Sequence, residues 1–198
     1  MLIRHGETEW SAAGRHTSVT DVDLTGRGVI DARRVAGILL GLGVRPVAVY
    51  SSPRTRSRRT AELAGLADPV VLDDLSEWHY GDYEGLTTEQ IRSSDPGWVF
   101  TDGSPGGESA RQASDRADRV LRRVTDGVAG DVVLVGHGHF SRVLATRWIG
   151  LEVAHAGAFG MDPGHVTVLG WYHEEPTLDH VNVPPLPLWH GGNESTEG

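Results

Sequence analysis

Short apolar runs rich in valine recur along the chain at Val47-Ala48-Val49-Tyr50, Val70-Val71-Leu72, Val132-Val133-Leu134-Val135 and Val166-Thr167-Val168-Leu169, and Met1-Leu2-Ile3 opens it. Runs this short, apolar without strict alternation, predict strands covered on both faces. Between them, residues 29–40, 55–64, 109–128 and 141–149 repeat apolar positions at helical spacing, which predicts helices crossing between parallel strands. Ser109 with Gln112, and Thr87 with Gln90, have the spacing of capping boxes; the second starts a shorter helix after Gly85. Residues 94–107, rich in serine, proline and glycine, read as a surface loop forming part of a lid. The pattern as a whole predicts an α/β fold, a three-layer α/β/α sandwich with a mostly parallel central sheet.

A length of 198 residues fits one domain with a well-buried core, expected over residues 1–183. From Pro184 the chain has three prolines in four residues and then a Gly-rich end, so residues 184–198 are expected to form a partly disordered tail. A first strand of three residues is unusually short for the sheet centre, and the natural chain is expected to begin earlier.

Composition narrows the function classes. The formal net charge of −9 argues against a nucleic-acid or anionic-membrane surface, and no apolar run reaches the length of a membrane span. The absence of cysteine excludes disulfides, thiol nucleophiles and cysteine-ligated metals, and fits a cytoplasmic protein. All 18 basic residues are arginine, so P-loop lysines and lysine Schiff bases are excluded, while planar recognition of phosphate or carboxylate is favoured.

Against that background four segments stand out. Arg4-His5-Gly6-Glu7-Thr8 follows the first strand, where residues of an open sheet gather to do chemistry, with Gly6 permitting a sharp exit turn. A neutral imidazole nitrogen can attack phosphorus while a neighbouring guanidinium holds the phosphate oxygens. Ser51 to Glu62 follows the second strand and opens a helix with Arg54, Arg56, Arg58 and Arg59 near its N-terminus, an oxyanion site by charge and dipole. Glu77 lies among aromatics in Leu75 to Gly85, and Gly136-His137-Gly138-His139-Phe140-Ser141 makes a second strand-to-helix turn with a histidine at its apex. Trp78, His79, Tyr80, His139 and Phe140 are expected near the substrate entrance, and Glu84 in a structural role. Alternating His137 and His139 also permit a metal reading, but phosphate explains the surroundings better. Gly26-Arg27-Gly28 lacks the third glycine and preceding strand of a dinucleotide motif.

In this order the four segments resemble the histidine phosphatase superfamily, whose members include phosphoglycerate mutases, a fructose-bisphosphatase domain and broad phosphatases. The resemblance runs from Ile3 to Ile149 and implies a phosphoglycerate mutase-like fold. It assigns His5 as the residue that becomes phosphorylated, Arg4 as the adjacent clamp, Arg56 rather than Arg54, Arg58 or Arg59 as the second arginine, Glu77 as proton donor and His137 as second pocket histidine. Ser11, Thr17, Gly138, Trp78 and His139 are added as substrate-binding candidates. The chain departs from many members at Ser11 and Ser18. Only Arg92 is basic between Ile91 and Glu108, where mutases and bisphosphatases carry residues for a second phosphate, and this tilts the reading toward a monophosphatase.

The implied reaction is ping-pong attack by neutral His5 on a small phosphorylated metabolite, with Glu77 as general acid and then base, and Arg4, Arg56 and protonated His137 supplying positive charge. It requires no metal or cofactor, and an acidic to neutral optimum is expected. The rivals are a phosphoglycerate mutase-type transferase and a catalytically silent phospholigand-binding protein. By resemblance a homodimer is expected.

Overall fold

Strand β1 (Leu2–Arg4) shows how so short a segment holds the centre of the molecule. In the computed structural model, which describes residues 1–185, it lies between β4 (Asp131–Gly136), parallel to it, and β5 (Val166–Tyr172), antiparallel to it. β2 (Pro46–Ser51), β3 (Val70–Val71) and β6 (Glu175–Val183) complete a sheet ordered β3-β2-β4-β1-β5-β6. Its first four strands are parallel, β5 runs antiparallel to β1, and β6 runs antiparallel to β5.

Neighbouring residues of a strand face opposite ways, and the core divides accordingly. Leu2 and Leu134 join a cluster containing Ala113, Ala117 and Val120 of α5 (Ala110–Thr125) and Phe140, Val143 and Leu144 of α6 (Gly138–Trp148). Ile3, Val133 and Val135 join the other, with Val35, Ile38 and Leu39 of α2 (Gly26–Gly41) and Ala61 of α3 (Thr55–Leu63). Two short helices, α1 (Glu9–Ala12) and α4 (Thr88–Ser94), both begin with capping boxes, at Thr8 and Thr87, and α5 begins with one at Ser109.

Three expectations are corrected. β6 was not predicted, and it pairs with β5 through a turn in which Tyr172 faces Glu175. α6 begins at Gly138 rather than Ser141, so His137 is its N-cap. Residues 94–107 are no loose lid: Trp98 and Phe100 are buried in the core, and Trp98 Nε1 donates to the Gly103 carbonyl at 2.7 Å. The expected tail lies outside the described residues except for Pro184 and Pro185. No helix among the described residues is long and apolar enough to cross a membrane.

Candidate active site

Pairing of β1 with β4 places Arg4 opposite Gly136, so the two strand ends deliver His5 and His137 side by side. Their rings meet edge to face with centroids 5.2 Å apart. The glycine after His5 is needed for close approach rather than for a positive φ: a Cβ at Gly6 would lie 2.4 Å from the Gly28 carbonyl oxygen, and one at Gly28 2.1 Å from that of Glu7. Gly28 is thus the residue that lets α2 pack against the chain leaving the histidine.

His5 Nδ1 lies 2.7 Å from the Gly6 carbonyl. A carbonyl only accepts, so Nδ1 carries the proton and Nε2 presents a lone pair. Burial, then the charges of Arg56 and Arg4, push the His5 pKa well below the histidine range against the weaker pull of the Gly6 bond. The ring is therefore neutral and nucleophilic well into the acidic range.

His137 Nε2 pairs with Ser52 Oγ at 2.7 Å, whereas buried Nδ1 has no partner among the described residues. Its pKa is also pushed well below the usual value, by burial and then by Arg56, His5 and Arg4. Burial first, and then the positive neighbours, thus disfavour the imidazolium form expected from the resemblance.

Arg56 is fully buried. Its NH1 donates to Thr20 O at 2.9 Å, and NH2 to Thr17 O and Ser18 O, each at 3.3 Å. Three of its five N–H groups are thereby spent on one loop, and Nε is buried without a partner among the described residues. Glu84 grips the same loop from the other side, accepting from Ser18 N, Ser18 Oγ and Thr20 N. Burial opposes ionisation of Glu84, but these bonds outweigh it and hold its pKa below the usual carboxylate value. Ser18 is thus spent on the loop clamp. Arg4 donates through NH1 to Met161 O at 2.6 Å, keeps Nε without a partner among the described residues, and packs so closely on Gly138 that a Cβ there would lie 3.0 Å from its guanidinium carbon.

Glu77 caps a helix to which it does not belong. Its Oε1 accepts from Trp78 N at 2.9 Å and Phe140 N at 2.7 Å, and its Oε2 from His139 N at 3.1 Å. His137, the N-cap of α6, makes no side-chain capping bond, so the orphan donors of that helix go to Glu77 instead. Oε2, with one bond against two, is the oxygen freer to carry a proton.

A cavity of about 140 Å³ is lined by Arg4, His5, Glu77 and Gly138, and Ser11, Thr17 and His139 also border it. The Ser11 hydroxyl closes the capping box of α1, and Thr17 Oγ1 donates to Arg15 O. His139 is a wall rather than a free imidazole: its ring stacks on Phe100 at 3.9 Å, and Nδ1 meets Tyr80 Oη at 2.6 Å. Trp78 is a correction. Its ring is fully buried against Phe100, in the core beneath α5 and α6, and only its backbone N–H reaches the site.

Arg15, His16 and Arg142 line the same cavity and were missed. Arg142 follows Gly138 by one helical turn, a spacing that would have revealed it once α6 was known to start there. Arg15 and His16 carry no comparable local signal. Among the described residues no group of three or more His, Asp or Glu is arranged to hold a metal ion.

Two arginine charges and a second imidazole beside a ring with an unprotonated nitrogen suit an anion that this nitrogen can attack, which is the chemistry of phosphoryl transfer through histidine. The model of the histidine phosphatase superfamily, branch 1, matches residues 1–184, and the chain belongs to that family, with its phosphoglycerate mutase-like fold. An acid phosphatase of Mycobacterium tuberculosis is 47% identical over 176 residues, 87% of this chain and 86% of that protein. A sedoheptulose 1,7-bisphosphatase of Saccharomyces cerevisiae is 34% identical, covering 77% and 68%. A solved structure of a Mycobacterium tuberculosis open reading frame superposes with a TM-score of 0.90 at 42% identity, covering 93% of this chain and 97% of that one.

Proposed function

We propose that the chain hydrolyses small phosphomonoesters through a phosphohistidine on His5, with Glu77 as general acid and base. The observation that carries this reading is His5 itself, whose Nδ1 is held by the Gly6 carbonyl so that Nε2 is free, with the His137 ring and the charges of Arg56 and Arg4 beside it. Kinship with an acid phosphatase supports it.

In the first step His5 Nε2 forms a bond to phosphorus, the ester P–O bond breaks in line, and the departing oxygen takes the proton from Glu77. Arg4 and Arg56 stabilise the charge on the equatorial oxygens with groups already oriented by Met161, Thr17, Ser18 and Thr20, so little reorganisation accompanies the reaction. In the second step Glu77 takes a proton from water, the oxygen bonds to phosphorus, and the P–N bond breaks. His137 Nδ1 is the remaining unpartnered group for a phosphate oxygen; protonated or in its Nδ1–H tautomer it donates there.

Release of inorganic phosphate from simple monoesters without a bisphosphate primer tests the reading. Turnover only when a primer is present, with isomer interconversion instead of phosphate release, contradicts it.

A further inference from the structure

Ser52 lies one residue beyond β2, and its backbone N–H still donates to Val135 O of β4 at 2.9 Å. Its side chain is fully buried and has two neighbours to bond. Oγ accepts from Arg54 N at 3.3 Å, the short-range bond a serine makes to the backbone two residues on, and it lies 2.7 Å from His137 Nε2. It makes no other hydrogen bond among the described residues.

A hydroxyl has one proton to give, and the Arg54 N–H can only donate, so the proton of Ser52 has Nε2 of His137 as its acceptor. Ser57 does not compete for that place: its Oγ is 3.5 Å from Nε2 but also 3.4 Å from the Gly136 carbonyl, which only accepts. Were Nε2 protonated instead, two buried groups would stand unpaired, the Ser52 hydroxyl proton and the Nδ1 lone pair. With Ser52 donating, only Nδ1–H awaits an acceptor. Unpaired buried polar groups cost free energy, so the arrangement with one is favoured over that with two. An ionised phosphate oxygen accepts and does not donate, so a ring nitrogen that serves it has to carry a proton. Burial and the charges of Arg56, His5, Arg4 and Arg54 hold the pKa of His137 well below the usual value, which makes a neutral ring with its proton on the right nitrogen the remaining route.

Resting on the phosphatase reading, we propose that Ser52 is a positioning residue: its hydroxyl donates to His137 Nε2 and holds the neutral ring in the Nδ1–H tautomer, so that Nδ1 donates to a phosphate oxygen without the ring first gaining a proton. The Gly6 carbonyl holds His5 in the same tautomer for the opposite use, since there the bare Nε2 is the nitrogen that reacts.

Long-range proton–nitrogen NMR spectra of the protein labelled with nitrogen-15 in histidine distinguish a protonated ring nitrogen from a bare one, and the His137 signals are those missing from His137→Gln. The wild type is expected to show Nδ1 protonated and Nε2 bare. Ser52→Ala is expected to free the ring to exchange between tautomers or to switch to Nε2–H, and to lower kcat/KM for a nitrophenyl phosphate by about two- to tenfold, the span of one hydrogen bond. Ser57→Ala, which empties an equally buried neighbouring site, is expected to leave the tautomer as in the wild type. A protonated Nε2 or averaged signals in the wild type overturn the assignment without any variant. A tautomer unchanged in Ser52→Ala, a tautomer released equally by Ser57→Ala, or a released tautomer with kcat/KM unchanged overturns the role of Ser52 and leaves the phosphatase reading in place. The expected tautomer in a folded protein that releases no phosphate from any monoester overturns the phosphatase reading, and the catalytic use of the tautomer with it.

Discussion

Replacing Glu77 by glutamine preserves the size of the side chain and removes its proton chemistry, and the structure separates two consequences. The amide oxygen can take the position of Oε1 and keep the bonds to Trp78 N and Phe140 N, but the NH2 group then meets the His139 N–H donor. One charge-assisted bond is lost at a partly buried position, about 1–2 kcal/mol after water relieves the exposed donor. For a chain of this length that lowers Tm by about 2–8 °C. The catalytic loss is larger and depends on the leaving group. Without a general acid, an alkyl phosphate should be hydrolysed about 10²–10⁴-fold more slowly. A nitrophenyl ester, whose phenolate departs unaided, should lose far less. Phosphate release from both esters, alongside thermal unfolding, reads these effects separately. An equal loss of kcat on both esters refutes proton donation by Glu77, and an unchanged Tm refutes its role as the cap of α6.

Three other outcomes follow from the geometry. Arg56→Lys keeps a charge but cannot span the carbonyls of Thr17, Ser18 and Thr20, so kcat should fall at least about tenfold and stability by about 1–3 kcal/mol; a near-native enzyme by kinetics and urea unfolding contradicts the loop clamp. Because the pKa of His5 is depressed, its nucleophilic form persists as pH falls, and the acid limb of kcat/KM due to His5 should lie below the ordinary histidine range of about 6.5; a His5 limb at or above that value counts against the assignment. Stability runs the other way: His16, lowered to about 4 chiefly by burial, is neutral when folded and protonated when unfolded between about 6.5 and 4, so stability is full above that window and falls as pH drops through it. This corresponds to about 3 kcal/mol for His16, and His16→Gln should make the fall of the urea midpoint over that window shallower, with buried His5 and His137 supplying the slope that remains.

Valine runs and helical spacing were enough to indicate most of the sheet and both helical layers, because buried parallel strands leave a direct composition signal. β6 left little: Glu175-Pro176-Thr177-Leu178-Asp179-His180 is largely polar, and its turn uses His173 at φ +55 without an Asn-Gly or Gly signal. The residues proposed as nucleophile, arginine partners and second histidine were legible as candidates because they sit at strand ends or helix starts, where local pattern and chemistry coincide. The arginine run shows the limit. From one short stretch Arg56 becomes fully buried, Arg58 faces solvent, Arg59 pairs with Asp23, and Arg54 lines a cavity. Which residue takes which fate depends on the loop of Thr17 to Thr20 and on Glu77, both distant in sequence. Trp78 was misplaced for the same reason: its neighbours Glu77 and His79 line a cavity, while its own ring turns into the core packed under α5 and α6.

The central claim is that phosphorus is bonded to His5 during turnover. Rapid quenching in base after mixing with a labelled phosphomonoester, followed by peptide mapping, addresses it directly. The account predicts an acid-labile, base-stable phosphoryl group on the peptide containing His5 and none in His5→Ala. Turnover with no phosphoryl-enzyme, or with label on another residue, contradicts it.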